Sequence, residues 1–184
     1  MATAHWQLQD NEQRYGSVSR MLHWGMAVIL LWQFASALAH WLLEDTAIEQ
    51  FLWGTHKTVG LLLIVLVIIR GLWSLHNRGH RPPPLNVMAQ LGHLVLYGLM
   101  VVIPLIGLLR QYGSGREFSP LGLSLMPGFE GEIDWMTAPG VLHSWLGWAL
   151  LAMIVGHVVM VFVHRRRSAD EDVLARMLGE RQRE

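Results

Sequence analysis

The sequence predicts an all-α protein built as a four-helix transmembrane bundle. Its 184 residues are 52% hydrophobic and only 15% charged, whereas about a quarter of the residues in a soluble domain are charged. Four apolar runs also follow one another, and each has about the 20 residues that a helix needs to cross a bilayer. These runs are residues 21–43, 51–75, 87–109 and 140–163.

The four predicted spans form one domain over residues 21–165, between a polar leader (1–20) and a charged tail (166–184). The first run follows this leader and is too long for the hydrophobic region of a signal peptide, so we expect it to be retained as a helix. The linkers are short except before the fourth span. There, a loop rich in glycine and proline predicts a surface segment with a short interfacial helix near Trp135.

Positive charges favour one side of the predicted bundle. Arginines precede the first span and follow the second and fourth spans, whereas carboxylates outnumber basic residues in the other two loops. By the positive-inside rule, both termini are cytoplasmic. We call the end of the bundle with the termini the inner end and the opposite end the outer end. The formal net charge of zero gives no reason to expect a nucleic acid as partner.

Histidine is the residue type that indicates function in this chain. The sequence has ten histidines and no cysteine, so a metal site would use imidazole rather than thiolate ligands. An ionisable residue at membrane depth is costly and suggests a functional role. A hydrogen bond to a neighbouring helix would explain one such histidine, but five need a common cause. The five are His23, His56, His93, His143 and His157.

Helix geometry arranges four of these histidines as two pairs. His143 and His157 are fourteen residues apart, which places them on nearly the same face of one helix at depths about 21 Å apart. His23 begins the first span at the inner end, where His157 lies, and His56 begins the second span at the outer end, where His143 lies. We call His23 and His157 the inner pair, and His56 and His143 the outer pair.

Two histidines at one depth suit the axial positions of a haem, because the porphyrin fills the other four positions of the iron. Zinc would need three or four ligands at one depth. The pattern therefore predicts two haems stacked across the membrane. Ala27, Gly60 and Gly147 each follow a predicted ligand by four residues and would leave room for a flat ring, although small residues are also common where membrane helices touch.

Other side chains are candidates for contacts with a cofactor or substrate. Arg70 is at the depth of the inner pair, so Arg70 and Arg20 are candidates to hold haem propionates or to act as positive-inside anchors. Lys57 at the outer boundary is a candidate to guide an anionic substrate, or it simply extends to the membrane surface. His93 and His164 are candidates for a quinone site or for hydrogen bonds around a haem, against a structural role.

These residues resemble the bacterial cytochrome b561 family of four-helix, di-haem membrane cytochromes. The resembling stretches are Arg14-Tyr15 with Leu22-His23-Trp24, His56-Lys57 with Gly60 and Arg70, His93-Leu94 with Tyr97, Pro104 and Gly107, and His143 with Gly147, His157 and His164. They extend over residues 14–165. The resemblance implies two b-type haems, held by the inner and outer pairs, in a protein embedded in the lipid of the bacterial inner membrane.

The first function that the resemblance implies is electron transfer across or within the membrane, to or from a quinone. Some members of the family are similar to this chain in length and loop plan and pass electrons from superoxide to ubiquinone, as superoxide:ubiquinone oxidoreductases. Superoxide is an anion and favours a basic surface, but the first outer loop is acidic. Lys57, Arg110 and Arg116 would therefore have to supply the positive field.

Two other functions stay open. In one, the protein is a cytochrome b membrane subunit that exchanges electrons with a redox partner, a dehydrogenase or hydrogenase. The partner would dock on the loop over residues 113–140, whose apolar side chains suit such a contact. In the other, the protein is a haem-free transporter lined by histidines. The absence of Asp and Glu from the four predicted spans counts against a proton relay through carboxylates.

Overall fold

A computed structural model describes residues 7–167 and 173–179, and these residues are helical apart from the connecting loops and one isolated β-bridge. Parts of the predicted leader and tail, residues 1–6, 168–172 and 180–184, lie outside the described residues. The helices are α1 (Ser17–Leu42), α2 (Ala47–His76), α3 (Val87–Gly113), α4 (Asp134–Thr137), α5 (Gly140–Arg167) and α6 (Val173–Leu178), with a 3-10 turn at Pro120–Gly122.

Within the described ranges, four helical segments are long and apolar enough to cross a membrane, namely α1, α2, α3 and α5 together with the preceding α4. This confirms the predicted all-α class with four apolar spans. Each of these helices extends beyond its predicted run at one end or at both. Helix α2 begins four residues before the predicted run, at Ala47. The Thr46 hydroxyl accepts a hydrogen bond from the backbone N–H of Glu49 and caps this end of the helix. Glu49, assigned to a loop by its sequence position, therefore lies buried in the first turn of α2.

The bundle packs as two halves. Helix α1 packs mainly against α2 and α3 mainly against α5, while contacts between α2 and α3 join the halves. Many large apolar side chains on the helices point outward, among them Leu31, Leu72 and Met88. This outward apolar surface is suited to lipid. One cluster of buried apolar side chains lies between the helices and contains Met26, Leu63, Val67, Leu96, Met100, Ile103 and Leu150.

A buried carboxylate organises the inner end. Asp10 accepts hydrogen bonds from the backbone N–H of Gly16 at 2.9 Å and from Nε of Arg81 at 3.0 Å. The guanidinium of Arg81 also lies 5.6 Å from the ring centroid of Tyr15. Burial raises the pKa of the Tyr15 phenol above its ordinary value of 10.0, and the nearby Arg81 partly offsets this effect. The leader is thus folded against the connection between α2 and α3.

Two arginines connect the start of the bundle to its C-terminal helix. Arg14 donates to the carbonyl of Gly179 at 2.9 Å, and Arg20 donates to the carbonyl of Leu178 at 2.6 Å. Helix α6 also packs against α5. The leader and α6 together cover the inner end of the bundle.

The outer end carries the long loop between α3 and α5. The Gln111 side chain donates to the carbonyl of Arg116 at 2.8 Å, and Phe118 is buried and bridges to Met126. The predicted short helix near Trp135 is present as α4. The loop therefore has a fixed base, while its tip at Leu121 is 92% exposed.

Candidate functional site

The outer pair is formed where α2 and α5 face each other. The ring centroids of His56 and His143 are 6.2 Å apart, with the ring planes at 71°. Nδ1 of His143 donates to the carbonyl of Ile103 at 2.8 Å, and Nδ1 of His56 lies 2.6 Å from Oγ of Ser36. A neutral imidazole that donates from Nδ1 keeps its lone pair on Nε2. Both rings can therefore offer Nε2 to a metal.

Helix α3 is shaped to receive His143. Pro104 lies inside α3, and a proline there removes one hydrogen bond of the helix. A Cβ atom at Gly107 would lie 3.0 Å from Cε1 of His143, so glycine lets this ring approach the backbone. The sequence placed Gly107 within a resembling stretch without giving it a role. A glycine within one turn of a proline was the available signal.

The small residues predicted to make room for a flat ring have different surroundings. A Cβ atom at Gly147 would meet nothing within 4 Å, which fits the predicted open space. At Gly60 it would lie 3.0 Å from Nε2 of Gln33. Gly60 therefore accommodates a neighbouring amide.

The inner pair lies between α1 and α5. The ring centroids of His23 and His157 are 6.4 Å apart, and the ring of His93 lies 5.4 Å from that of His157. Nδ1 of His23 is buried and has no hydrogen-bond partner among the described residues. The guanidinium of Arg70 lies over the Tyr97 ring at 5.3 Å, and its charge acts on His23. The structure thus brings His93 and Arg70 to the inner pair.

Both pairs have the spacing of two imidazoles on opposite sides of a haem iron. Two imidazoles that bind one metal atom from opposite sides, with metal–nitrogen bonds of about 2.0–2.1 Å, have ring centroids roughly 6 Å apart. The observed separations are 6.2 and 6.4 Å. No three His, Cys, Asp or Glu side chains in the described part of the chain are grouped as metal ligands. Each pair therefore fits a haem better than a metal ion held by side chains alone.

Two further candidates lie toward the inner end of the bundle. Besides its bond to Leu178, Arg20 donates to Oγ of Ser17 at 3.3 Å, so its guanidinium connects α1 to the C-terminal helix. His164 is buried near the inner end of α5, two turns beyond His157. Arg20 and Arg70 have the same two predicted roles, but of these two residues only Arg70 acts on His23 by its charge.

The outer end has a group of three cations. The charges of Arg116 and Arg110 act on Lys57, which directly follows the outer ligand candidate His56. A groove of about 280 Å³ adjoins this group. It is lined by Arg110, Thr137, Gly140, Val141 and Ser144.

One group of residues near the outer pair was missed by the sequence analysis. The His40 ring stacks on Trp53 with 4.0 Å between centroids, and Nδ1 of His40 lies 2.8 Å from Oε1 of Glu49. Trp53 in turn lies 4.6 Å from the ring of His56. The spacing of Trp53 and His56, one helical turn apart, was the available signal. The partner from α1 becomes visible only in the packed structure.

Four membrane-length apolar helices that bring histidines together in two pairs are typical of a helical membrane protein that binds haem. A family profile for prokaryotic cytochrome b561 matches residues 14–180. The chain is also 30% identical to "Cytochrome b561 homolog 2" of Escherichia coli (strain K12) over 179 residues, which cover 92% of this chain and 94% of that protein.

The chain belongs to the prokaryotic cytochrome b561 family, which confirms the resemblance seen in the sequence. Membership implies a bacterial membrane protein that binds b-type haem and transfers electrons. It therefore counts against the haem-free transporter.

Proposed function

We propose that the protein is a di-haem cytochrome that transfers electrons between the two ends of the bundle, with a quinone as one partner. In this proposal the axial ligands are His23 and His157 for one haem, and His56 and His143 for the other. The observation that carries the proposal is the matched spacing of the two pairs, 6.4 and 6.2 Å between ring centroids. Bound haem supplies the one-electron chemistry.

The protein fixes the relative positions of the two sites through α5. Because His143 and His157 lie on one continuous helix, their depths differ by about 21 Å. Each site takes its second ligand from a different helix, α2 for the outer pair and α1 for the inner pair. The bundle thus needs α1, α2 and α5 in register before both sites are complete.

The inner pair has further groups suited to a cofactor or a quinone. Arg70, held over Tyr97, is the cation that we assign to a haem propionate, because guanidinium binds carboxylates well. His93, which contacts the ring of His157, is our candidate to hydrogen-bond a quinone or to orient the inner ligand. Arg20 ranks behind Arg70, because its guanidinium is bonded to Leu178 and Ser17, whereas His164, buried near the inner end of α5, stays a candidate for the same roles as His93.

We further propose superoxide as electron donor and ubiquinone as acceptor. Two superoxide anions lose one electron each and become two O₂, while one quinone takes up two electrons and two protons and becomes the quinol. The group formed by Lys57, Arg110 and Arg116 would attract the anion to the outer pair despite the acidic loop after α1. The specific role of Lys57 is therefore steering the substrate.

Haem content and optical spectra test the di-haem proposal directly. A pyridine haemochrome assay on purified protein is expected to give two haems per chain, and dithionite should produce the spectrum of six-coordinate, low-spin b-type haem. One haem per chain, or none, would refute the proposal. Stopped-flow mixing with superoxide then tests the specific reaction, since a superoxide oxidase must show rapid haem reduction.

A second function is favoured by the long outer loop. Leu121, Leu123 and Leu125 near its tip are exposed, whereas Phe118, also predicted to contribute to a docking surface, is buried. An exposed apolar tip suits a protein partner, as expected for a membrane subunit of a dehydrogenase or hydrogenase. Two haems per chain combined with no reduction by superoxide would favour this function over the first.

A further inference from the structure

The hydrogen bonds around Ser36 define the protonation of the outer ligand His56. Oγ of Ser36 lies 2.7 Å from the backbone carbonyl of Gln33 and 2.6 Å from Nδ1 of His56. A carbonyl oxygen only accepts, and a serine hydroxyl has one proton to donate. The proton of Ser36 therefore goes to Gln33, and Ser36 accepts the Nδ1–H of His56. His56 is left with its lone pair on Nε2.

The same turn of α1 also holds the backbone of His56. Nε2 of Gln33 donates to the carbonyl of His56 at 3.2 Å, so α1 contacts both the ring and the main chain of this residue. Gly60 leaves the space that the Gln33 amide occupies, since a Cβ there would lie 3.0 Å from Nε2. Ser36 itself is fully buried, so water does not compete for its hydroxyl.

We propose that Ser36 is a positioning residue for the outer haem, which it influences through His56. This inference rests on the proposed assignment of His56 as an axial ligand. A hydrogen bond from the distal ring nitrogen to an acceptor fixes the orientation of a ligating imidazole and raises its basicity. A more basic ligand stabilises ferric iron over ferrous iron. Ser36 therefore strengthens haem retention and lowers the reduction potential at the outer pair.

The inner pair supplies an internal reference for this effect. Nδ1 of His23 is buried without a hydrogen-bond partner in the described part of the chain, so Ser36 has no counterpart at that ring. Ser19 provides a matched control on the same helix. It is also buried, but its hydroxyl accepts from Nε1 of Trp73 at 3.0 Å. Removing the Ser19 hydroxyl costs the bond from Trp73, and removing the Ser36 hydroxyl costs the bonds with Gln33 and His56, but only Ser36 contacts a proposed ligand.

The test is a redox titration of Ser36→Ala and Ser19→Ala, followed by visible spectroscopy. Each change is also made in a His157→Ala background, in which only the outer haem should remain. We expect Ser36→Ala to raise the potential of the outer haem and leave the inner potential unchanged. We also expect it to speed transfer of the outer haem to apomyoglobin by about tenfold, while Ser19→Ala leaves the outer haem at its original potential and rate.

Each outcome is decisive for the role of Ser36. Loss of the outer haem from Ser36→Ala, with the inner haem retained, would support the proposal and show that the bundle still folds. Unchanged potentials and transfer rates, an equal shift at both haems or loss of both haems would overturn it. A wild type with fewer than two haems would instead refute the di-haem proposal itself, so the two failures are distinguishable.

Discussion

The outer and inner pairs have almost the same ring spacing but are held differently. At the outer pair, Nδ1 of each ring meets an oxygen atom, from Ser36 or from the backbone of Ile103. At the inner pair, Nδ1 of His23 is buried without a partner among the described residues, and a third ring, His93, packs on His157. The outer rings are oriented by hydrogen bonds, and the inner rings are surrounded by other side chains.

This difference shows that equal spacing does not imply equal properties. Outer groups that orient metal ligands commonly change affinity or activity by about 10–100-fold. The outer haem should therefore be the more tightly held of the two, with its potential set largely by neutral oxygen acceptors. The inner haem should depend more on Arg70, whose charge acts on His23.

The largest expected effect comes from removing ligands pair by pair. His143→Ala should abolish the outer haem and leave one haem per chain, and adding His56→Ala should cause no further loss. His157→Ala and His23→Ala should behave alike at the inner haem. The measurement is haem per chain, with the exposed His76→Ala as a control that keeps both haems. The pairing is wrong if His23→Ala and His143→Ala empty the same site.

A smaller substitution should weaken the binding of the outer haem alone, without removing a ligand. Gly107→Ala places a Cβ 3.0 Å from Cε1 of His143, so the ring must shift and its hydrogen bond to Ile103 weakens. We expect about tenfold faster transfer of the outer haem to apomyoglobin and no change at the inner haem. Gly98→Ala is the control on α3, because its Cβ would meet nothing within 4 Å. Equal behaviour of the two variants would contradict the close fit of His143.

Charge reversal at the outer end should affect the rate at which superoxide reduces the outer haem. Lys57→Glu replaces attraction by repulsion, so stopped-flow reduction should slow several-fold at low ionic strength. The salt dependence should flatten or reverse, because added salt screens charges over about 10 Å at 0.1 M. Two haems should still be bound. Arg78→Glu, at the inner end, should keep the wild-type rate, and an unaltered rate in Lys57→Glu would exclude steering by Lys57.

The smallest expected effect is on the pH dependence of stability, through Tyr15 in the leader that packs over the inner end. Burial raises the pKa of Tyr15 above 10.0, so at high pH the unfolded chain loses this proton before the folded protein does. The contribution of Tyr15 to the free energy of unfolding is thus complete below pH 10 and decreases as the pH rises through the folded-state pKa. Tyr15→Phe should unfold thermally with less loss of stability between pH 8 and 10.5.

The control for this prediction is Tyr112→Phe, since Tyr112 is exposed at the opposite end of the bundle. Circular dichroism of the detergent-solubilised proteins at both pH values gives the comparison. If Tyr15→Phe and the wild type lost equal stability on raising the pH, the pKa of the Tyr15 phenol would not be raised by folding.

The sequence by itself determined the four apolar helices and the residues that could form the two histidine pairs. Hydropathy fixes which segments enter a bilayer, because each apolar run must satisfy its backbone hydrogen bonds within a helix. The constant rise and turn of a helix then fix the relative depth of His143 and His157. Both inferences depend on distances along the chain, which a sequence states directly.

Only the tertiary structure decided how each histidine is held. The contacts of His56 with Ser36, of His143 with Ile103 and of His40 with Trp53 join residues on different helices. They depend on how far each helix is rotated and how closely it packs, which the volumes of the packed side chains determine. When most faces of a helix meet lipid, the spacing of its apolar residues says little about how the helix is rotated in the bundle. The different hydrogen bonding of the outer and inner pairs is therefore visible only in the packed structure.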